Sequence, residues 1–223
     1  MNPEALNSPI EFPLLRRGVW VRLDNVGKRF NREWIFRHCS YEFQQGKKYA
    51  ITGPNGSGKS TLLQVIAGAT LHNEGTIEYK NDQRSTNNEQ HYTIISIAAP
   101  YLELIEEMTA TEMLDFHSKF KPLNAAFDIP AILNTVGLDK AAHKQIRYFS
   151  SGMKQRLKLA QAFFSNTQVL LLDEPTTNLD ADGITLYLSL INNYTKDRLV
   201  IVSSNVKQEY DFCEEVIEIG KYK

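Results

Sequence analysis

Residues 53–61, Gly-Pro-Asn-Gly-Ser-Gly-Lys-Ser-Thr, carry the spacing G-x-x-x-x-G-K-[ST], and each residue type in it has a chemical reason. Glycines let the main chain wrap a phosphate with successive N–H groups pointing inward, where a Cβ would obstruct it. The ammonium of Lys59 has the reach and charge for β- and γ-phosphates, and the Ser60 hydroxyl is a ligand for Mg²⁺. Gly53, Pro54, Asn55, Gly56, Ser57, Gly58, Lys59, Ser60 and Thr61 are therefore candidate nucleotide-binding residues. A second constellation, Val169-Leu-Leu-Leu-Asp173-Glu174-Pro175, ends an apolar run on two adjacent carboxylates. Asp173 suits Mg²⁺, directly or through water, and Glu174 suits orienting or deprotonating an attacking water.

Such groups act only if secondary structure brings them together. Lys48-Tyr-Ala-Ile-Thr52 reads as an apolar strand entering the glycine loop, and residues 62–67 as the helix leaving it, with Gly68 placed to cap that helix. The run 169–173 has the length and continuous apolarity of a parallel strand buried on both faces. Ligands of open α/β sheets bind beyond the carboxyl ends of such strands, which is where both motifs fall. A helix marked by Ile184, Tyr187, Leu188 and Ile191 and a further buried strand, 199–203, follow. Between the two motifs, residues 108–164 carry helical spacing, with Met113, Phe116 and Phe120 and later Met153, Leu157, Ala160 and Phe164. Near the N-terminus, Val19, Val21 and Leu23 alternate with Trp20, Arg22 and Asp24 as in a half-buried strand. Residues 1–17 read as a proline-containing lead-in, 18–223 as one domain, and the polar stretch 81–90 as a hairpin tip or surface loop. Alternating strands and helices imply an α/β fold with a mainly parallel sheet.

Composition excludes several classes. The 223 residues are 42% apolar and 23% charged, within the globular range. Lys plus Arg (25) against Asp plus Glu (26) leaves a net charge of -1, so no basic field exists to hold a phosphate backbone, and nucleic acid is not expected as a partner. No apolar run reaches the ~18 residues of a bilayer span. The first residues place acids and prolines, not basic residues, ahead of the apolar stretch, so no secretory signal is expected. Cys39 and Cys213 have no CxxC spacing and read as small buried hydrophobes, and His38, His72, His91, His117 and His143 show no ligand spacing and read as surface histidines.

From about residue 18 to the C-terminus the chain resembles the ATP-binding cassette of ABC transporters. Besides the two motifs above, Phe149-Ser150-Ser151-Gly152-Met153-Lys-Gln-Arg156 is similar to that family's signature, and Thr177-Asn178-Leu179-Asp180 to its D-loop. The resemblance implies a P-loop NTPase fold with a mainly parallel sheet core, a small antiparallel β subdomain and a helical subdomain at about 100–164. It implies ATP and Mg²⁺ as cofactors and ATP hydrolysis, with Glu174, Lys59 and Asn205 as the catalytic set. It implies that Ser150, Ser151 and Gly152 cap the γ-phosphate held by a second, identical cassette. A helix N-terminus there has the amides and dipole to attract an anion. Phe30, in Gly27-Lys-Arg-Phe30, takes the position of the aromatic that stacks on adenine. A transmembrane permease subunit is the implied partner, and the inner face of the cell membrane, on its cytoplasmic side, the implied location.

Two family positions differ. The stretch Ile97-Ala98-Ala99-Pro100-Tyr101 offers no glutamine where the family has one, and Asn205 stands where the family has a switch histidine. Asparagine donates a hydrogen bond to phosphate but cannot carry charge or exchange a proton, so slow turnover is expected. After that position, Tyr101, Leu102, Leu104 and Ile105 stand among Glu103, Glu106 and Glu107, a composition suited to a basic amphipathic helix from the membrane partner. The alternatives are a nucleotide-gated dimer with little turnover and a soluble ABC-type ATPase of DNA repair or translation. Chain length and charge balance speak against the latter.

Overall fold

The computed structural model describes Gly18, residues 20–80 and residues 91–223; the lead-in 1–17, Val19 and the polar stretch 81–90 lie outside the described residues. In chain order the elements are β1 (Trp20–Phe30), β2 (Glu33–Gln44), β3 (Lys48–Thr52), α1 (Lys59–Ile66), β4 (Glu74–Lys80), β5 (Ile95–Ala98), α2 (Ala110–Phe120), α3 (Ile129–Thr135), α4 (Ser151–Phe164), β6 (Val169–Asp173), α5 (Ala181–Tyr194), β7 (Leu199–Ser203) and β8 (Glu215–Glu218). The short apolar runs become one parallel sheet in the order β5-β6-β7-β3-β8, and the alternating segments become an antiparallel sheet in the order β2-β1-β4.

Every residue of β6 and β7 is buried. The period of two divides them between two cores. Val169 and Leu171 join a core shared with α1 and the antiparallel sheet, through Leu62, Ile66, Val21 and Phe36. Leu170 and Leu172 join a second core with Leu114, Leu157, Ala160 and Tyr187 of the helices. A strand covered on both faces has no use for polar alternation, which is why these runs are continuously apolar.

Local signals set the helix ends. Thr109 and Glu112 form a reciprocal capping box at α2, Ser150 accepts the Met153 N–H at α4, and Asp180 accepts the Gly183 N–H at α5. Gly68, just beyond α1, takes φ +72°, the left-handed cap that its position suggested. Some expectations do not hold. Phe116 and Phe120 lie on α2 with Met113, yet both are exposed and pack edge to face on each other, 5.1 Å between centroids. Four residues apart, they continue the stripe of Met113, which is buried in the second core, out into solvent. Cys39 is buried but Cys213 only half so. His117 is half-buried rather than on the surface: its Nε2 lies 2.8 Å from Ser165 Oγ, and because that hydroxyl donates to Gln161 O, the ring nitrogen is the donor.

Candidate nucleotide site

Strand β3 delivers Thr52 to the carboxyl edge of the parallel sheet, and the chain then turns through three left-handed glycines, Gly53 (φ +148°), Gly56 (φ +75°) and Gly58 (φ +103°), before α1 begins at Lys59. At Gly58 a Cβ would meet Ile35 Cγ2 of β2 at 2.5 Å, so both the backbone conformation and the close approach of β2 demand glycine. The loop is held from within. Ser57 N–H donates to Pro54 O (3.0 Å), and the Lys59 ammonium donates to Gly53 O (2.8 Å) and Pro54 O (3.3 Å). Lys59 is only 5% exposed, so its charge is concentrated at the loop.

The cavity of about 220 Å³ over this loop is lined by Ile35, Asn55, Gly56, Ser57, Gly58, Lys59, Ser60, Thr61 and Glu174. The structure thus brings the glycine loop and Glu174 together. Asp173 ends β6 in register with Ser203 of β7 and is 1% exposed. Glu174 follows at φ +41°, its N–H donating to Ser203 O (2.9 Å). Asn205 approaches from β7: its Oδ1 accepts the Gly53 N–H (3.3 Å) and its Nδ2 donates to Asn55 Oδ1 (3.0 Å).

Other expected site residues stand apart. Ser150 caps α4, and neither it nor Ser151 or Gly152 lines the cavity. Gly152 abuts the segment after Glu174: a Cβ there would meet Asn178 O at 3.0 Å. Phe30, 49% exposed at the end of β1, does not line the cavity either, and one face of its ring is covered by the Lys28 ammonium at 4.6 Å. Ile35 does line it and was not singled out from the sequence. Its signal was the apolar run Trp34-Ile35-Phe36 ahead of the glycine loop, which lies in β2.

Three buried oxygens at the loop and the strand ends are left unpaired among the described residues. Asp173 Oδ1, Ser57 Oγ and Ser203 Oγ are buried without a hydrogen-bond partner among the described residues. Buried polar atoms are rarely left so, and carboxylate and hydroxyl oxygens suit a hard cation such as Mg²⁺.

The segment between β5 and α2 holds the apolar and acidic residues expected to meet a partner helix. Residues 101–108 are not helical. A groove of about 290 Å³ is lined by Leu102, Glu103, Leu104, Met113, Phe120, Lys121 and Lys158 among others, and Tyr101 is not in it. Burial pushes the Tyr101 phenol up to about 12, with a hydrogen bond to the Gln64 side chain of α1 opposing the rise and the Asp173 charge adding to it. Glu106 pairs with Lys154 and Glu107 with Arg147 (3.4 Å), so these carboxylates are engaged by the chain's own cations. The groove itself is mixed in charge, and burial lowers the ammonium pKa of both Lys121 and Lys158.

The sequence profile of the ABC transporter family matches residues 36–177, more than half of the chain and both motifs. The chain belongs to the ABC transporter family. It is 30% identical over 202 residues to the uncharacterised ABC transporter ATP-binding protein YybJ of Bacillus subtilis, covering 90% of this chain and 92% of that protein. It is 27% identical to the lantibiotic transport ATP-binding protein SrtF of Streptococcus pyogenes, over 88% of this chain and 85% of that one. Its fold matches the post-hydrolysis dimer of the ATP-binding cassette MJ0796 bound to ADP and Pi, with a TM-score of 0.74 at 24% identity over 90% of this chain and 95% of that one. The fold is therefore that of an ABC ATPase, with a parallel core sheet, an antiparallel sheet and helices. Among the described residues no helix is long and apolar enough to cross a membrane. Asn205 lies beyond the stretch that the family profile matches.

Proposed function

We propose that this chain binds Mg–ATP at the glycine loop and hydrolyses it with Glu174, as the ATP-binding subunit that powers a separate transmembrane permease. The observation that carries the reading is one cavity lined by both the phosphate loop and Glu174, with the adjoining Asp173 buried and its Oδ1 without a partner among the described residues. The chain is an ATPase subunit of the ABC transporter family; the residue roles are our assignment.

The loop N–H groups and Lys59 hold the β- and γ-phosphates, which requires the ammonium to exchange the Gly53 and Pro54 carbonyls for phosphate oxygens. Ser60 and Asp173 would hold Mg²⁺, whose chemistry is to draw off charge from the β- and γ-phosphate oxygens. Glu174 accepts the proton of the water whose oxygen bonds to the γ-phosphorus as the bond to the bridging oxygen breaks, leaving ADP and phosphate. Asn205, already against Gly53 and Asn55, donates an amide hydrogen bond toward the γ-phosphate. Ser150, Ser151 and Gly152 stand outside their own cavity and cap the nucleotide of a second copy in a head-to-tail dimer. Phe30 presents its uncovered ring face to adenine. The groove beside α2 receives the membrane subunit at the cytoplasmic face of the membrane; lead-in 1–17, domain 18–223 and helical subdomain 100–164 complete this reading.

Glu174→Gln keeps shape and removes the base, so phosphate release should stop while ATP, and not ADP, drives the chain to a dimer on size exclusion. Wild-type protein that releases no phosphate, or a variant that stays monomeric in ATP, overturns the reading.

A further inference from the structure

The segment that follows β6 carries Glu174 and Asn178 in left-handed conformations, φ +41° and +66°, which disfavour side chains bearing a Cβ. Strain of this kind persists only where surrounding groups fix the backbone. Three outside contacts do so. Ser203 O accepts the Glu174 N–H (2.9 Å), Gln155 Nε2 of α4 donates to Pro175 O (2.8 Å), and Glu209 Oε1 accepts the Thr176 N–H (2.8 Å) together with the Thr176 hydroxyl.

Glu209 is the unusual one. It is 2% exposed, an acid in the interior, and its Oε2 has no partner among the described residues. Burying a carboxylate for one N–H and one hydroxyl is a poor way to gain stability. Its backbone is itself anchored, with the Tyr187 hydroxyl of α5 donating to Glu209 O (2.7 Å) and Glu209 N–H donating to Val206 O (2.9 Å). It also lies just beyond Asn205 in the chain, so one short stretch touches the phosphate loop through Asn205 and the Glu174 turn through Glu209.

We infer that Glu209 is a positioning residue for hydrolysis: it holds the turn after β6 so that Glu174 faces the phosphate cavity, and it ties that turn to the Asn205 segment. This rests on the reading that Glu174 acts on water at that cavity. The full-length chain with Glu209→Ala, compared with wild type and Glu209→Gln by steady-state phosphate release well below every melting temperature, tests it. Glu209→Ala should lower kcat about tenfold or more with KM for Mg–ATP within about threefold. Glu209→Gln, whose amide oxygen accepts the same two bonds, should return kcat to within about threefold of wild type. A purely structural role would move the melting temperature without this split and rescue. Should the alanine variant not fold, Glu209→Asp draws the acceptor back by one methylene and should show the same fall in kcat at constant KM. Unchanged kcat in the alanine or aspartate variant, or failure of glutamine to restore it, overturns the inference alone. Absence of phosphate release in wild type overturns the hydrolytic reading and this inference with it.

Discussion

Replacing Lys59 by Met removes the one cation of the glycine loop while keeping a stem of similar length. The ammonium sits 2.8 Å from Gly53 O and 3.3 Å from Pro54 O, nearly buried, so little water screens it. A hydrogen bond to a charged group is worth about 1.5–3 kcal/mol net, which corresponds to a roughly 10- to 150-fold loss of affinity. The upper part of that range is expected, because the variant also leaves two carbonyl oxygens beside incoming phosphate oxygens with no proton between them. The assay is calorimetric titration of Mg–ATP into Lys59→Met on the Glu174→Gln background, where turnover does not consume the ligand. The melting temperature without ATP serves as the control for the loop's own lost bond. The thermal shift given by ATP should shrink in step with affinity, since a ligand that binds only the folded state stabilises it by RT ln(1 + [L]/Kd). A dissociation constant within threefold of the parent would refute the placing of phosphates at this loop.

Gly58→Ala forces a Cβ into φ +103° against Ile35 Cγ2 at 2.5 Å and should cost about 1–3 kcal/mol by urea denaturation; because strain dominates, adding Ile35→Ala should return only part of it. Asn205→His supplies a group that can carry charge and exchange a proton, so phosphate release should rise; an already fast wild type that the change leaves unaltered would show that turnover does not wait on this position. Burial, with a smaller contribution from Lys121, lowers the His117 pKa from the ordinary 6.5 to about 4. The unfolded chain then binds the extra proton first, so this stability is whole above pH 6.5 and is lost as the pH falls toward 4, by roughly 2 kcal/mol for a ring that keeps some exposure. Urea midpoints of wild type should fall more steeply over that window than those of His117→Gln, and parallel curves would clear His117 of the acid response.

Legibility in the sequence followed the range of the interactions. The strands β3, β6 and β7 could be read because burial on both faces leaves a continuous apolar run, and α1 because a glycine loop starts it and Gly68 stops it. Strand β2 escaped notice although it is the longest: Cys39, Tyr41 and Phe43 alternate with Ser40, Glu42 and Gln44, but three successive apolar residues, Trp34-Ile35-Phe36, and the bulge at His38 (φ +56°) put the first half out of phase with the second; Arg37 and Glu42 form ion pairs with Glu74 and Arg22. The carboxylates after Tyr101 were legible as acids, but not as the partners of Lys154 and Arg147, tens of residues away. Residue type shows that a charge exists; only the tertiary fold shows whether it is already paired.

The site itself illustrates the same division through strand order. Along the chain come the phosphate loop, then Asp173 and Glu174, then Asn205; more than a hundred residues separate the loop from the carboxylates, and about thirty more lead on to Asn205. In the sheet, β7 lies between β3 and β6, so the end of β7 is interposed between the loop and the carboxylates. That position explains why Ser203 supports Glu174 from one side while Asn205 supports Gly53 from the other. It also gives Glu209, which carries no motif, access to Thr176: the chain leaving the end of β7 passes beside the turn that follows its neighbour β6 before it returns as β8 beside β3. Local motifs name the groups that meet the nucleotide, whereas the order β6-β7-β3 decides which unremarkable residues hold those groups in place.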